Sequence, residues 1–108
     1  MALLTDQAVD RDRATLYLSP TMLFRLGTLY ITPGASELLR DRLPPLHFVR
    51  LHVNGVWGDL SDEDRKANLR AIVYDERVFS AYTVNGSRLY VITEADRSST
   101  TLLRASEY

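Results

Sequence analysis

The sequence predicts an α+β fold in which two or three helices pack on one face of a small antiparallel sheet. Three observations predict it. The stretches Thr32-Pro33-Gly34-Ala35 and Ser61-Asp62-Glu63-Asp64 are typical of helix starts. The dipeptide Asn85-Gly86 separates two strand-like runs and is a strong hairpin signal. The length of 108 residues fits one domain, which we place at 14–108 behind an N-terminal tail at 1–13.

The N-terminal part predicts a hairpin and then a helix. Weakly alternating runs at 14–19 and 22–31 favour two short strands joined by a turn at Ser19-Pro20-Thr21. Thr32 suits the cap of the first helix, and the following proline suits its first turn. We expect this helix to end near Arg42, just before two prolines.

Two further helices follow. A short one at 46–53 precedes the turn signal Asn54-Gly55. The next begins at Ser61, whose side chain can cap it, and three acidic residues in its first turn match the positive end of the helix dipole. We expect this helix to end near Val73.

The C-terminal third predicts a three-stranded meander formed by 77–84, 87–94 and 99–104. A two-residue Asn-Gly loop fixes the register of the first two strands. Both faces of this hairpin are apolar, and helices can cover only one of them. The other face meets either the N-terminal strands or a partner, which favours a homodimer. The expected pairs are Val84 with Ser87, Tyr82 with Leu89, Ser80 with Val91, and Arg77 with Glu94.

Composition and charge exclude several classes of protein. Without cysteine there is no disulfide framework, thiolate metal site or cysteine nucleophile. A net charge of −1 supplies no basic field to recruit nucleic acid. No apolar run approaches the length of a membrane span, and the first residues do not resemble a secretory signal. We therefore expect a cytoplasmic protein with no membrane partner.

Three clusters of polar residues are candidates for a site. In the 62–73 helix, Asp64 falls in the apolar stripe and Asn68 on its edge, so both are expected to face the core or a cleft. The loop Trp57-Gly58-Asp59 carries an indole that is either a core residue or an exposed hot spot. In the run Thr93–Ser98, we expect Arg97 to bridge two of the nearby carboxylates, or else to bind a phosphate or a partner carboxylate.

Enzyme templates match poorly. His52 with Asp59, Glu94 and Asp96 is one candidate metal set. The four carboxylates of Asp59, Asp64, Glu94 and Asp96 are another, and their oxygens suit Mg²⁺ or Mn²⁺. The sequence contains no phosphate-binding loop and no dinucleotide fingerprint. The helix start at Thr32, with Arg97, is a candidate anion site. No cofactor is predicted.

A set of residues spread over roughly 24–108 forms one pattern: Thr32-Pro33-Gly34-Ala35, Gly55, Trp57-Gly58-Asp59-Leu60, Asp64, Asn68, Arg77, Ser80-Ala81-Tyr82, Ile92–Ser98, Thr100-Thr101 and Tyr108. This pattern resembles that of a family of small bacterial proteins carried on plasmids and integrative elements, some labelled as a restriction-system subunit. The resemblance implies a mobile-element context and groups the three clusters into one site, but it carries over no catalytic activity. Val56 departs from the family pattern, which has an acidic residue there, and 1–20 lies outside it.

The sequence therefore favours a non-catalytic accessory protein of a plasmid, phage or integrative element. It would act by protein–protein contact against a host defence system such as restriction or CRISPR. The alternatives are a metal-dependent hydrolase or nuclease built on clustered carboxylates, and a module that binds a nucleotide or another anion. The expected interaction residues are Trp57, Asp59, Asp64, Asn68, Tyr82, Glu94, Asp96 and Arg97.

Overall fold

The computed structural model of the chain describes residues 2–3 and 22–108 and confirms the α+β class. Within these residues, no helix is long and apolar enough to cross a lipid bilayer. The chain closes with a short 3₁₀ turn at Ala105–Glu107. The main elements are β1 (Ala2–Leu3), β2 (Thr28–Ile31), α1 (Pro33–Leu39), α2 (Pro45–Val53), α3 (Asp62–Tyr74), β3 (Val78–Val84), β4 (Ser87–Thr93) and β5 (Ser99–Arg104).

The C-terminal meander has the predicted register. Strands β3, β4 and β5 are adjacent and antiparallel, and Tyr82 pairs with Leu89 as the Asn-Gly turn requires. Just beyond the paired residues, the guanidinium of Arg77 lies 3.0 Å from the carboxylate of Glu94, which extends the expected register by one pair. The three-strand unit is therefore fixed by its own local sequence.

Strand β2 is placed differently from the expected N-terminal hairpin. The run 14–19 lies outside the described residues, and only 28–31 of the run 22–31 is strand. The sheet order is β1-β2-β5-β4-β3, so β2 has a neighbour on each side. It pairs in parallel with β5 and antiparallel with Ala2–Leu3, a segment that the sequence assigned to a tail. Turn residues indicate which neighbouring strands pair, but they cannot indicate a parallel pairing between strands that three helices separate in the sequence.

The core lies between the helices and one face of the sheet. Leu38, Phe48 and Val49 from α1 and α2 pack against Leu89 and Leu102 of the strands. A smaller cluster of Trp57, Ala71 and Val78 joins α3 and the loop before it to the same face. The buried apolar residues of all three helices thus lie on one side of the sheet, as the sequence predicted.

Candidate functional site

The Trp57–Asp59 loop extends the outer edge of β3. The N–H of Ala81 donates to the carbonyl of Trp57 (3.1 Å), and the N–H of Asp59 donates to the carbonyl of Ala81 (2.7 Å). Between them, Gly58 has a φ of 77°, and a Cβ there would collide with the carbonyl of Ala81. The indole is buried and donates to the carbonyl of His52 (3.0 Å). This loop therefore closes the sheet edge, and its tryptophan is part of the core.

The side chain of Asn68 covers the neighbouring position on the same edge. Its Nδ2 donates to the carbonyl of Phe79 (2.7 Å), and its Oδ1 accepts from the N–H of Phe79 (3.0 Å). One amide thus satisfies both main-chain groups that an edge strand would leave open. Asn68 is accordingly buried.

The helix α3 is rotated from the orientation that its apolar stripe predicted. Asn68 and Ala71 are buried, whereas Ala67 and Asp64 are exposed. The reason is that leaving the N–H and the carbonyl of Phe79 without hydrogen bonds costs more free energy than leaving the small side chain of Ala67 in water. The expectation that Asp64 faces the core or a cleft is therefore wrong. Asp64 lies in the first turn, where its N–H donates to the capping hydroxyl of Ser61 (3.1 Å).

The guanidinium of Arg97 binds main-chain carbonyls, so the predicted bridge between carboxylates is wrong. It donates to the carbonyl of Ala71 (2.9 Å) and to that of Glu76 (2.6 Å), at the end of α3 and just beyond it. It also donates to the carbonyl of Glu94 (3.1 Å) and lies over the ring of Phe24. A cation at the C-terminus of a helix stabilises its unpaired carbonyls and its dipole. Arg97 thereby ties the β4–β5 loop to α3.

Three of the four candidate carboxylates have separate local partners, and the fourth, on Asp64, is exposed in the first turn of α3. Asp59 accepts from the hydroxyl of Thr83 (2.7 Å), and Glu94 pairs with Arg77. Asp96 accepts hydrogen bonds from Ser98, which hold the pKa of its carboxyl below the usual value. Over residues 2–3 and 22–108, no group of three histidine or acidic side chains is placed to hold a metal ion. Neither candidate metal set is therefore assembled in this part of the chain.

The helix start that was a candidate anion site holds a carboxylate from the same chain. Glu107 accepts from the hydroxyl of Thr32 (2.6 Å), the N–H of Gly34 (2.9 Å) and the N–H of Arg104 (2.8 Å). Partial desolvation acts to raise the pKa of Glu107, but these hydrogen bonds outweigh it and hold that pKa below its usual value. The C-terminal turn therefore occupies the position that a bound phosphate would take.

The most extensive buried polar group in the described chain is one that sequence reasoning did not identify. His52 on α2 is fully buried, with Nδ1 at 2.5 Å from the hydroxyl of Ser80 and Nε2 at 2.9 Å from that of Thr93. The Thr93 hydroxyl lies 2.7 Å from that of Thr100, which donates to the carbonyl of Leu26 (2.7 Å). One imidazole thus links a helix to β3, β4 and, through the threonines, to β5.

This chain of hydrogen bonds can run in only one direction. A carbonyl only accepts, so Thr100 uses its single proton on Leu26. Thr93 must then donate to Thr100, and its oxygen accepts from Nε2–H of His52. The imidazole is therefore the Nε2–H tautomer, and its Nδ1 accepts from Ser80. A serine bonded to a histidine resembles a catalytic dyad, but both side chains are fully buried and here hold elements together.

Burial keeps His52 neutral. Desolvation lowers its pKa from 6.5 to about 3, and the positive charge of Arg97 acts in the same direction. Tyr82, another predicted interaction residue, is also buried and donates its hydroxyl to the carbonyl of Val56 (2.6 Å). Burial raises the pKa of Tyr82 to about 12. Both groups therefore remain uncharged near neutral pH.

The predicted interaction residues divide by exposure. Trp57, Asn68 and Tyr82 are buried and offer no surface to a partner, and Arg97 is half-buried with its fork on carbonyls. The remaining carboxylates reach solvent, but at separate places. The hydrogen-bonded group of Ser80, Thr93 and Thr100 could have been predicted from the strand register, because that register places all three on the core face of the sheet.

Comparison with known proteins finds no relative: no family model, curated protein or solved structure matches the chain.

Replacing Asn68 should destabilise the protein. The variant Asn68→Ala leaves the N–H and the carbonyl of Phe79 without their partner, so we expect the free energy of unfolding to fall by about 1–3 kcal/mol. Urea unfolding measures this change, with the exposed neighbour Lys66→Ala as the matched control, expected within about 0.5 kcal/mol of the parent. Equal stability of the two variants would refute the role given to Asn68.

Stability should also fall on mild acidification because of His52. Its pKa is lowered in the folded state, so between pH 6.5 and about 3 the unfolded chain binds the extra proton. The free energy of unfolding should therefore decrease as pH falls from 6.5, by up to about 1.4 kcal/mol for each pH unit. Urea unfolding between pH 7 and pH 5 tests this, since the carboxylates titrate mainly below that range.

Two variants isolate the contribution of His52. In His52→Gln the decrease between pH 7 and pH 5 should largely disappear, because the group that gains a proton on unfolding is gone. His47→Gln removes the half-exposed histidine of the same helix and should retain the decrease. A parent profile that is flat over this range would contradict a neutral, buried imidazole.

Proposed function

We propose that the protein acts without catalysis, by binding another protein through the outer face of α3. The observation that carries this proposal is a group of large apolar side chains left in water on that helix. Leu69, Val73 and Tyr74 are 57%, 70% and 69% exposed. They are three of the seven large apolar side chains that are exposed among the described residues.

The spacing of these residues suits a helix that docks in a groove. Leu69 and Val73 are four residues apart and so lie one turn above the other on the same side of α3. Tyr74 follows directly and widens the apolar strip. The first two turns of the helix are strongly charged, as in Asp62, Glu63 and Lys66. An apolar strip beside charged turns is typical of helices that lay one face into a hydrophobic groove.

The resemblance to proteins of plasmids and integrative elements supports a partner among host defence complexes, such as restriction or CRISPR effectors. A non-catalytic inhibitor of this kind needs only a surface that occupies its target. The buried roles of Trp57 and Asn68 fit this proposal, because these residues support the position of α3 instead of forming an exposed catalytic centre.

A change of two side chains should separate binding from folding. The double variant Leu69→Glu/Val73→Glu adds charge to exposed positions, so it should retain the parent's thermal unfolding temperature to within a few degrees. Tagged parent and variant are used to capture proteins from cells that carry a restriction or CRISPR system. Quantitative mass spectrometry should show a subunit of that system captured by the parent and reduced at least tenfold with the variant.

The matched control is Leu43→Glu, which places the same charge on a 50% exposed leucine between α1 and α2. It should capture the partner as the parent does. Plasmid transformation into the same cells gives a functional readout, in which the parent and Leu43→Glu should protect the plasmid and the α3 variant should not. Equal capture by all three proteins would exclude α3 as the binding surface, and absence of both capture and protection would refute the proposed function.

A further inference from the structure

The sheet has a second face that the three helices do not cover. Side chains alternate along each strand, and those of the opposite face are Phe79 on β3, Tyr90 and Ile92 on β4, and Leu103 on β5. The helices pack their apolar residues on the other side of the sheet. Phe79, Tyr90 and Leu103 are half-buried, whereas Ile92 is only 5% exposed among them.

Aromatic rings make up much of this open face. The ring centroids of Phe79 and Tyr90 lie 4.8 Å apart. Tyr108, beyond the C-terminal turn, packs edge-on against Tyr90 at 5.9 Å and is itself 71% exposed. Tyr108 therefore adds an exposed ring to the apolar face.

The charged residues of this face lie at its two ends, whereas in the middle of β5 Thr101 lies opposite Ile92. At one end, Arg77 pairs with Glu94 (3.0 Å). At the other end, Thr83 lies opposite Arg88, which donates to the carbonyl of Asp59 (3.3 Å). An apolar centre with a polar border is the usual composition of a protein interface.

The order of residues along β4 makes this face complementary to itself. Arg88, Tyr90, Ile92 and Glu94 follow one another on the open side, so a positive charge begins the series and a negative charge ends it. If a second copy is stacked with its β4 antiparallel to the first, Arg88 of each copy meets Glu94 of the other. Tyr90 of each copy then lies over the apolar surface around Ile92 of the other, so both kinds of contact are favourable at once.

We infer that the open sheet face binds a second copy of this chain, with a two-fold axis that passes over β4 between Tyr90 and Ile92. The alternation of charge and apolar residues along β4 carries this inference. It goes beyond the proposed role of α3 and is independent of it, because the two surfaces share no residue.

The size of the face sets the expected strength of the dimer. The strands β2, β5, β4 and β3 have 4, 6, 7 and 7 residues. At about 3.3 Å per residue and about 4.8 Å between strands, they give roughly 380 Å² of flat area per copy. Two copies therefore bury on the order of 800 Å², somewhat more when the relief of the side chains is included. Stable interfaces bury about 1,200–2,000 Å² in total. We expect a dissociation constant on the order of tens of micromolar, with exchange between monomer and dimer.

Sedimentation equilibrium of the full chain from 5 to 300 µM (roughly a tenth to several times the expected dissociation constant) tests the inference. The parent should pass from monomer to dimer over this range. Arg88→Glu and Glu94→Arg each place like charges opposite one another in both contacts of the dimer. Each variant alone should therefore weaken association by about tenfold or more. Lys66→Glu, on the exposed side of α3, makes the same change of charge as Arg88→Glu and should leave association unchanged.

Mixing the two variants gives the decisive result. In a mixed dimer, the carboxylate introduced at position 88 of one chain meets the guanidinium introduced at position 94 of the other. The second contact is the unaltered pair of Glu94 from the first chain and Arg88 from the second. Equimolar Arg88→Glu and Glu94→Arg should therefore regain association near that of the parent, although each alone has lost it. A merely structural effect of either substitution would not be reversed by mixing.

Each outcome decides the inference. If Glu94→Arg fails to fold beside Arg77, Tyr90→Lys provides a second test, since a buried ammonium at the centre should give a monomer. A parent that is monomeric at 300 µM, several times the expected dissociation constant of roughly tens of micromolar, would overturn the inference, whether another part of the chain or another molecule covers the face. A parent dimer that survives Arg88→Glu and Tyr90→Lys would also overturn it, because the contact would then lie elsewhere.

Discussion

The fold depends on one buried imidazole that joins the helical layer to the sheet. His52 contacts Ser80 on β3 and Thr93 on β4, and the threonine relay continues to Thr100 and the carbonyl of Leu26. Each group in this series needs the next, because an unpaired polar atom in the core costs about 1–3 kcal/mol. Apolar packing brings the layers together, but these hydrogen bonds fix which helix residue stands over which strand residue.

Several polar residues around this core form hydrogen bonds with main-chain N–H and carbonyl groups that would otherwise be unpaired. The Trp57–Asp59 loop and Asn68 pair the outer edge of β3, and Arg97 binds the carbonyls at the end of α3. Glu107 does the same for the start of α1. Asn68, Arg97 and Glu107 are therefore of types that enzymes use, but their side chains bind main-chain groups of the same chain. The surfaces proposed for partners, on α3 and on the open face of the sheet, are apolar.

Elements that are decided by local chemistry could be predicted from the sequence, whereas those decided by distant partners could not. The Asn85-Gly86 turn fixed the β3–β4 register, and the caps at Thr32 and Ser61 marked two helix starts. The parallel pairing of β2 with β5 left no local signal. The acidic residues near Arg97 in the sequence predicted carboxylate partners for its guanidinium. Its partners are instead main-chain carbonyls, which no residue type can indicate because every residue has one. The residue type of His52 suggests a metal ligand. Its actual partners, Ser80 and Thr93, follow only when the strand register is combined with the buried face of α2.

The protonation state of His52 tests this account most directly. Nitrogen-15 spectra of the imidazoles, recorded on the folded protein, distinguish the two neutral tautomers and the charged ring. The account predicts that His52 carries its proton on Nε2, with Nδ1 unprotonated, and that its signals do not change between pH 7.5 and pH 5. A proton on Nδ1, or a His52 that titrates between pH 6 and pH 7, would contradict the one-directional hydrogen-bond chain on which the rest of the structure depends.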